Sequence, residues 1–425
     1  MMDNAKLRLP LSRKLRKAGL KAKGLVNSSA KQNLIIFGAM IVLILVFYIL
    51  NPNFLRIGNI ISMSQSLAPY AILALGVTFV IATGGIDLSI GTVCIASAVV
   101  SGYCYMKGMP LWLTIPMMIA IGGLFGLLNG VLVAKLKMPA FIATLGTMLV
   151  ARGLSSLIVA IPNIFFPTGS WFNEMFSRKD SFPSAIPWVI GIMLVCMYIM
   201  FKNKIGRYIL SIGSNEEATR LSGIDTDKYK IIAYVFSGIG AGIGAIFWAA
   251  SFTTVQTSSG NGMELDAIAG VYIGGTSAAG GIASVGGSVI GSVMLVIIRN
   301  GLNFYLATLD TQVNGTYVTY VVTGIIVVVA VLVDIFKNKQ SAKVKIEKPL
   351  KQLKRIFDEK ILALEDLYDE TITNGTLSAE LRAAKLSETR EEINNLKAER
   401  TAEVEKLRAK QSEENMEKTR KGKKI

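Results

Sequence analysis

LIIFGAMIVLILVFYIL, residues Leu34–Leu50, is an unbroken apolar run. It directly follows a segment, 1–33, that carries Arg8, Arg13, Lys14, Arg16, Lys17, Lys21, Lys23 and Lys31 against a single acid, Asp3. A helix of about 20 apolar residues matches roughly 30 Å of hydrocarbon, and a basic flank stays on the cytoplasmic side. A secretory signal also starts basic, but no small-residue cleavage site follows, and Asn51-Pro52-Asn53 reads as a loop. The expectation is a retained first span with its amino end in the cytoplasm.

Outward from that run the pattern repeats. Apolar segments recur near 60–83, 89–106, 111–134, 140–161, 185–201, 231–252, 267–282, 284–300 and 316–336, about ten in all. Apolar residues make up 52% of the 425, more than an ordinary soluble domain carries. Of the 45 Lys and Arg, nine precede Asn33 and 22 follow Phe336. The expected fold class is therefore all-α, a polytopic integral membrane protein with about ten transmembrane helices. Its expected domains are a basic cytoplasmic segment 1–33, a membrane domain 34–336 and a charged, soluble helical tail 337–425. The break at Lys135–Pro139 and the segment 202–230 are basic and suit the cytoplasm, whereas the loop 162–184, with Trp171 and Phe172, suits the outer interface. Both termini are then cytoplasmic. The run 267–282 is short and holds Gly270, Gly274, Gly275, Gly280 and Gly281, so a half-helix or re-entrant segment is an alternative to a span. In the tail, Asn374-Gly375 reads as a turn between two helices.

Composition also excludes functions. The net charge of +16 sits beside hydrophobic spans, where it attracts anionic membrane lipid and sets orientation, and no nucleic-acid partner is expected. Histidine is absent, which removes the common nucleophilic dyads and the commonest metal ligand. Cys94, Cys104 and Cys196 lie in or beside apolar segments without metal-ligand spacing. No phosphate-binding loop of the Gly-x-x-x-x-Gly-Lys-Ser/Thr type occurs, so any ATP hydrolysis belongs to another chain. No enzymatic activity, cofactor or metal is expected.

Three motifs stand out. In Thr83-Gly84-Gly85-Ile86-Asp87-Leu88-Ser89-Ile90-Gly91, Asp87 is the only acid between Asp3 and Glu174. A carboxylate at bilayer depth is costly, so Asp87 either caps a broken helix, faces a polar path or lies at the interface, with Ser89 as a second capping residue and Gly85 permitting the break. Glu264 and Asp266 open a glycine-rich segment that allows close helix packing. Gly85, Asp87, Ser89, Glu264 and Asp266 are the candidates for a translocation path or gate. In Ile212-Gly213-Ser214-Asn215-Glu216-Glu217-Ala218-Thr219-Arg220-Leu221-Ser222-Gly223, Ser214 and Glu217 have capping-box spacing and Gly223 supplies a left-handed stop. A short, deliberately terminated cytoplasmic helix suits docking in a partner's groove. Its candidates are Ser214, Asn215, Glu217, Ala218, Leu221, Ser222 and Gly223.

These motifs, together with Ala140-Phe141-Ile142-Ala143-Thr144-Leu145-Gly146-Thr147, Arg152-Gly153, Gly206-Arg207-Tyr208 and Gly274-Gly275-Thr276-Ser277, resemble the permeases of bacterial ribose, galactose and xylose importers of the ATP-binding-cassette class. The resemblance covers about residues 34–336. It implies a permease in the bacterial inner membrane that works as a homodimer with a cytoplasmic ATP-binding subunit and an extracytoplasmic sugar-binding protein. It also implies that 213–223 couples to the ATPase. The tail departs from the pattern, since these permeases normally end soon after the last span. The alternative is an ion-coupled secondary carrier for a small polar solute, in which Asp87 binds the ion.

Overall fold

A computed structural model of the chain describes residues 28–159, 163–179, 182–306, 315–373 and 378–422. Most of the basic amino-terminal segment and the turn at Asn374-Gly375 lie outside the described residues. The chain divides into two units, Met1–Ile335 and Phe336–Ile425.

In the first unit the helices are α1 Ser28–Leu50, α2 Ile57–Ala82, α3 Ile90–Met106, α4 Leu111–Gly130, α5 Ala140–Ile158, α6 Trp171–Phe176, α7 Ala185–Phe201, α8 Lys204–Ser214, α9 Glu216–Leu221, α10 Thr226–Phe252, α11 Met263–Ile273 and α12 Val285–Leu306. A π-helical turn, Val131–Lys135, extends α4. Two residues of β1, Ile164–Phe165, pair antiparallel with β2, Thr254–Val255, tying the loop after α5 to the end of α10.

Helix α10 is the axis of this unit, packed against α2, α3 and α4. Small residues explain the fit. Gly122, Gly126 and Gly130 recur every fourth residue on α4, as do Gly238 and Gly242 on α10, and a Cβ at Gly238 would fall on the backbone of Gly122 and Gly126. With lipid as the solvent, helix association rests on such close backbone approach rather than on hydrophobic exclusion. The outer faces are apolar in the same sense: Leu124, Leu149, Leu157 and Val195 are all exposed, which suits contact with hydrocarbon.

Five described helices are long and apolar enough to cross a bilayer, or six if the α7–α8 pair, bent by 66°, counts as one span. Ten apolar runs in the sequence thus yield fewer full-length crossings among the described residues. Helix α3 has only 17 residues. The run 267–282 is not a helix throughout: α11 has 11 residues and stops at Ile273, and glycine-containing turns follow until Val285. At about 1.5 Å per residue, α11 reaches only half-way across. Gly275, Gly280 and Gly281 all have positive φ, so the backbone turns where a helix would have to continue.

Helix α13, Gly315–Thr373, runs from the first unit into the second. The second unit holds the rest of it and α14, Ala379–Gly422. Within that unit Phe357, Ile361 and Leu362 of α13 and Ile393 and Val404 of α14 are buried, and Arg400 Nη1 lies 3.2 Å from Asp358 Oδ1. Arg400 therefore reaches the other helix of the pair instead of lying on an apolar seam.

Candidate functional site

Between α2 and α3 the helical path breaks at 83–89. Gly84 takes φ +82, and Asp87 follows with 1% of its surface exposed. Asp87 Oδ1 accepts from Ser89 N at 2.9 Å and Ser89 Oγ at 2.7 Å, and Oδ2 accepts from Ser237 Oγ of α10 at 2.7 Å. The bonds continue outward. Asn129 Nδ2 of α4 donates to Ser89 Oγ at 2.8 Å, and Thr147 Oγ1 of α5 donates to Asn129 Oδ1 at 2.6 Å. Tyr234 adds a bond from its hydroxyl to Ile86 O at 3.1 Å, over Gly85, where a Cβ would crowd that hydroxyl. One carboxylate thus anchors a polar chain linking α3, α4, α5 and α10, and it satisfies the orphan Ser89 N–H at the start of α3.

Glu264 and Asp266 stand at the start of α11. Asp266, 3% exposed, pairs with Arg299 Nη2 of α12 at 2.5 Å, and Arg299 Nη1 donates to Tyr70 Oη of α2 at 3.1 Å. The guanidinium also lies over the Tyr70 ring, 5.4 Å from its centroid. Half-helix α11 is thereby fastened to α12 and α2. Glu264 packs against Gly91 of α3, where a Cβ would meet Glu264 Oε2 at 2.6 Å. Nearby, Arg152 Nη2 of α5 donates to Asn261 Oδ1 at 2.8 Å. The candidates Gly85, Asp87 and Ser89 are brought together, Glu264 reaches the end of the same segment at Gly91, and Asp266 is held apart from them by Arg299. Thr147 closes a motif already noted in the sequence, whereas Asn129, Ser237, Tyr70 and Arg299 are partners that the motif reading does not single out. Arg299 carries a signal that finds it: a lone cation in the apolar run 284–300 requires a partner at bilayer depth.

The segment after α8 differs from expectation in its cap. Ser214 is the last residue of α8, and its Oγ donates to Leu210 O at 3.0 Å, so no capping box forms with Glu217. Asn215, extended at φ −164 and ψ 102, caps α9 instead, its Oδ1 accepting from Ala218 N at 2.9 Å. The start moves one residue because α8 remains helical through Ser214, and a cap must have non-helical dihedrals. Gly223 ends the segment at φ +81. Glu216 anchors α9 to α10 through Lys230 Nζ at 2.6 Å, with Arg220 Nη2 at 3.3 Å. Burial pushes the Glu216 carboxyl up, but the hydrogen bond and charge of Lys230, with the charges of Arg220 and Lys137, outweigh it and hold the carboxyl below its ordinary value. Glu217, Ala218 and Ser222 face outward, and Leu221 is 85% exposed.

Residues 59–331 match the family described as branched-chain amino acid transport system / permease component. The chain belongs to this permease family. Its relatives include a ribose import permease protein of Escherichia coli K12, 36% identical over 308 residues, which covers 70% of this chain and 91% of the relative. The ribose import permease protein of Bacillus subtilis is 34% identical over 310 residues, covering 72% and 92%. A fructose import permease protein of Bifidobacterium longum is 33% identical over 303 residues, covering 69% and 87%. No solved structure matches. The second unit lies beyond the family match, which stops at residue 331.

Proposed function

We propose that this chain is the membrane-spanning permease subunit of an ATP-driven importer that carries a simple sugar across the bacterial cytoplasmic membrane. The observation that carries the reading is the near full-length similarity to ribose and fructose import permeases. The family description names branched-chain amino acids instead. Identity over about nine-tenths of the relatives' length is the more specific of the two signals.

In this reading hydrolysis is the work of a separate cytoplasmic ATP-binding subunit, an extracytoplasmic binding protein delivers the sugar, and two copies of the permease form the transport unit. The end of the unit bearing Lys137 and 202–230 faces the cytoplasm, as do both termini, and β1, α6 and β2 face outward. Helix α9 seats Glu217, Ala218 and Leu221 in the ATPase, since an exposed leucine on a short capped helix is an anchor for a partner's groove.

Reconstitution in vesicles with the ATPase and binding protein tests the reading, with labelled ribose and fructose as probes. ATP-dependent accumulation of either sugar is expected, and Leu221→Asp is expected to lower both ATPase association and uptake. Accumulation driven by an ion gradient, with no response to ATP, would replace the importer by the ion-coupled carrier.

A further inference from the structure

The sequence keeps 82–85, 213–214 and 279–281 far apart, and the fold puts their backbones in direct contact. Gly281 N donates to Ala82 O at 3.0 Å. A Cβ at Gly213 would overlap both Ala82 O and Gly281 N. A Cβ at Gly280 would meet Gly84 N at 2.7 Å and Gly213 Cα at 2.9 Å, and one at Gly281 would meet Ser214 Cα at 3.0 Å. Gly84, Gly280 and Gly281 hold φ of +82, +80 and +75, so glycine suits these positions by conformation as well as by space.

Each segment leads to a different part of the machinery. Gly213 lies two residues before Asn215, the cap of α9. Ala82 ends α2 at the break that holds Asp87. Gly280 and Gly281 lie in the loop between α11, which carries Asp266, and α12, which carries Arg299. A contact of backbone on backbone has no side-chain rotamers to absorb a displacement, and close-packed interiors transmit it.

We propose that Gly213 is a positioning residue for transport: the contact through which displacement of α9 reaches both intramembrane breaks at once, and which stays closed throughout the cycle. This role rests on the importer reading. The added methyl of Gly213→Ala forces the three segments apart while leaving the outward face of α9 intact. Controls are Gly146→Ala and Gly153→Ala, where a Cβ meets open space.

The test measures sugar moved per ATP hydrolysed, using labelled ribose and fructose, in vesicles holding the full permease, ATPase and binding protein. Gly213→Ala is expected to keep ATP hydrolysis while the sugar-to-ATP ratio falls about 5-fold or more, the lower end of ordinary coupling. Parental ratios in that variant would overturn the proposal. If the parental complex itself shows no ATP-driven uptake, the importer reading falls and this role with it. A second experiment does not depend on the variant folding: Ser214→Cys with Ala279→Cys, both at exposed positions, in a background where Cys94, Cys104 and Cys196 are replaced by Ala. A short reducible bifunctional thiol reagent then bridges the pair. A permanently closed contact predicts uptake by the bridged complex equal to that of the unbridged one. Uptake lost on bridging and restored by reductant would show that the segments separate, and would overturn the proposal.

Discussion

Replacing Asp87 separates its work as a tie from any chemical role. Its carboxylate accepts three hydrogen bonds, two on Oδ1 and one on Oδ2. Asp87→Asn keeps one acceptor oxygen, which serves Ser89 as before. The new amide nitrogen faces Ser237 Oγ, which must turn from donor to acceptor. One charged bond is thereby exchanged for a neutral one, and the two bonds from Ser89 lose their charge, for a cost of about 1–2 kcal/mol. Asp87→Ala removes all three acceptors. The two serine hydroxyls can rotate to helix carbonyls, but the buried Ser89 N–H has no such freedom, and leaving it unsatisfied adds about 1–3 kcal/mol to about 1 kcal/mol for each hydroxyl bond lost. The expected total of about 3–5 kcal/mol is a large fraction of ordinary stability. Thermal unfolding of the detergent-solubilised protein should therefore rank parent above Asn above Ala. Uptake by the folded Asn variant should be reduced but present. An Ala variant as stable as the parent would refute the tie. A fully stable Asn variant without any uptake would instead assign the carboxylate to ion or proton chemistry and favour the secondary carrier.

The cap of α9 gives a second comparison: Asn215→Ala should cost about 1 kcal/mol of local stability and weaken ATPase association, whereas Ser214→Ala should change either by little, as judged by hydrogen exchange across 215–223 and by co-purification. For the buried pair, Arg299→Met alone should destabilise by about 3–5 kcal/mol, because it strands Asp266, and Arg299→Met with Asp266→Asn should recover most of that in a thermal melt. At the centre of the unit, Gly238→Leu should abolish a monodisperse detergent-purified species, because the side chain falls on the α4 backbone, while Gly153→Leu should elute as the parent does. The Glu216 carboxyl lies below its ordinary value, so the stability it lends α9 is fully present above that value and is lost as pH falls through the lower folded one. Association with the ATPase should owe no pH dependence to Glu216 between about pH 5 and 8, and Glu216→Gln should weaken it at all of those values.

Apolar run length was enough to locate nearly every long helix of the first unit, since a lipid-solvated helix must satisfy its own backbone and cannot hide its composition. Gly223 was legible for a similar reason: a left-handed stop has few substitutes. The cap was not. Ser214 and Asn215 are adjacent and both able to cap, and the choice depends on where α8 stops, which tertiary packing decides. Asp87 was conspicuous as a lone acid, but its partners Ser237 and Asn129 are ordinary residues among many, selected by how α10 and α4 cross. The run 267–282 was legible only as a choice between a span and a half-helix: its glycines marked a break, but hydropathy does not register the positive φ that Gly275, Gly280 and Gly281 adopt. The contact of 82–85, 213–214 and 279–281 was not legible, being a property of two helix ends and a loop meeting and of no one of them.

The choice between an ATP-driven and an ion-driven cycle turns on where work enters the unit. An ion acting at Asp87 has to enter a site with 1% of its surface exposed and compete for a carboxylate that already accepts three hydrogen bonds. Of these bonds only that from Ser237 joins two helices, and such bonds average about 0.6 kcal/mol and reach about 1.7. Work entering at α9 meets no such barrier. Leu221 already stands clear of the unit, and the path from Asn215 through Gly213 to Ala82 and Gly281 is a series of contacts that shift together. On that reading Asp87 is expected to keep its bonds through the cycle and to tie α3, α4, α5 and α10 together, so that a push on one end of that group displaces it as a body, and the ranking of Asp87→Asn and Asp87→Ala tests that tie.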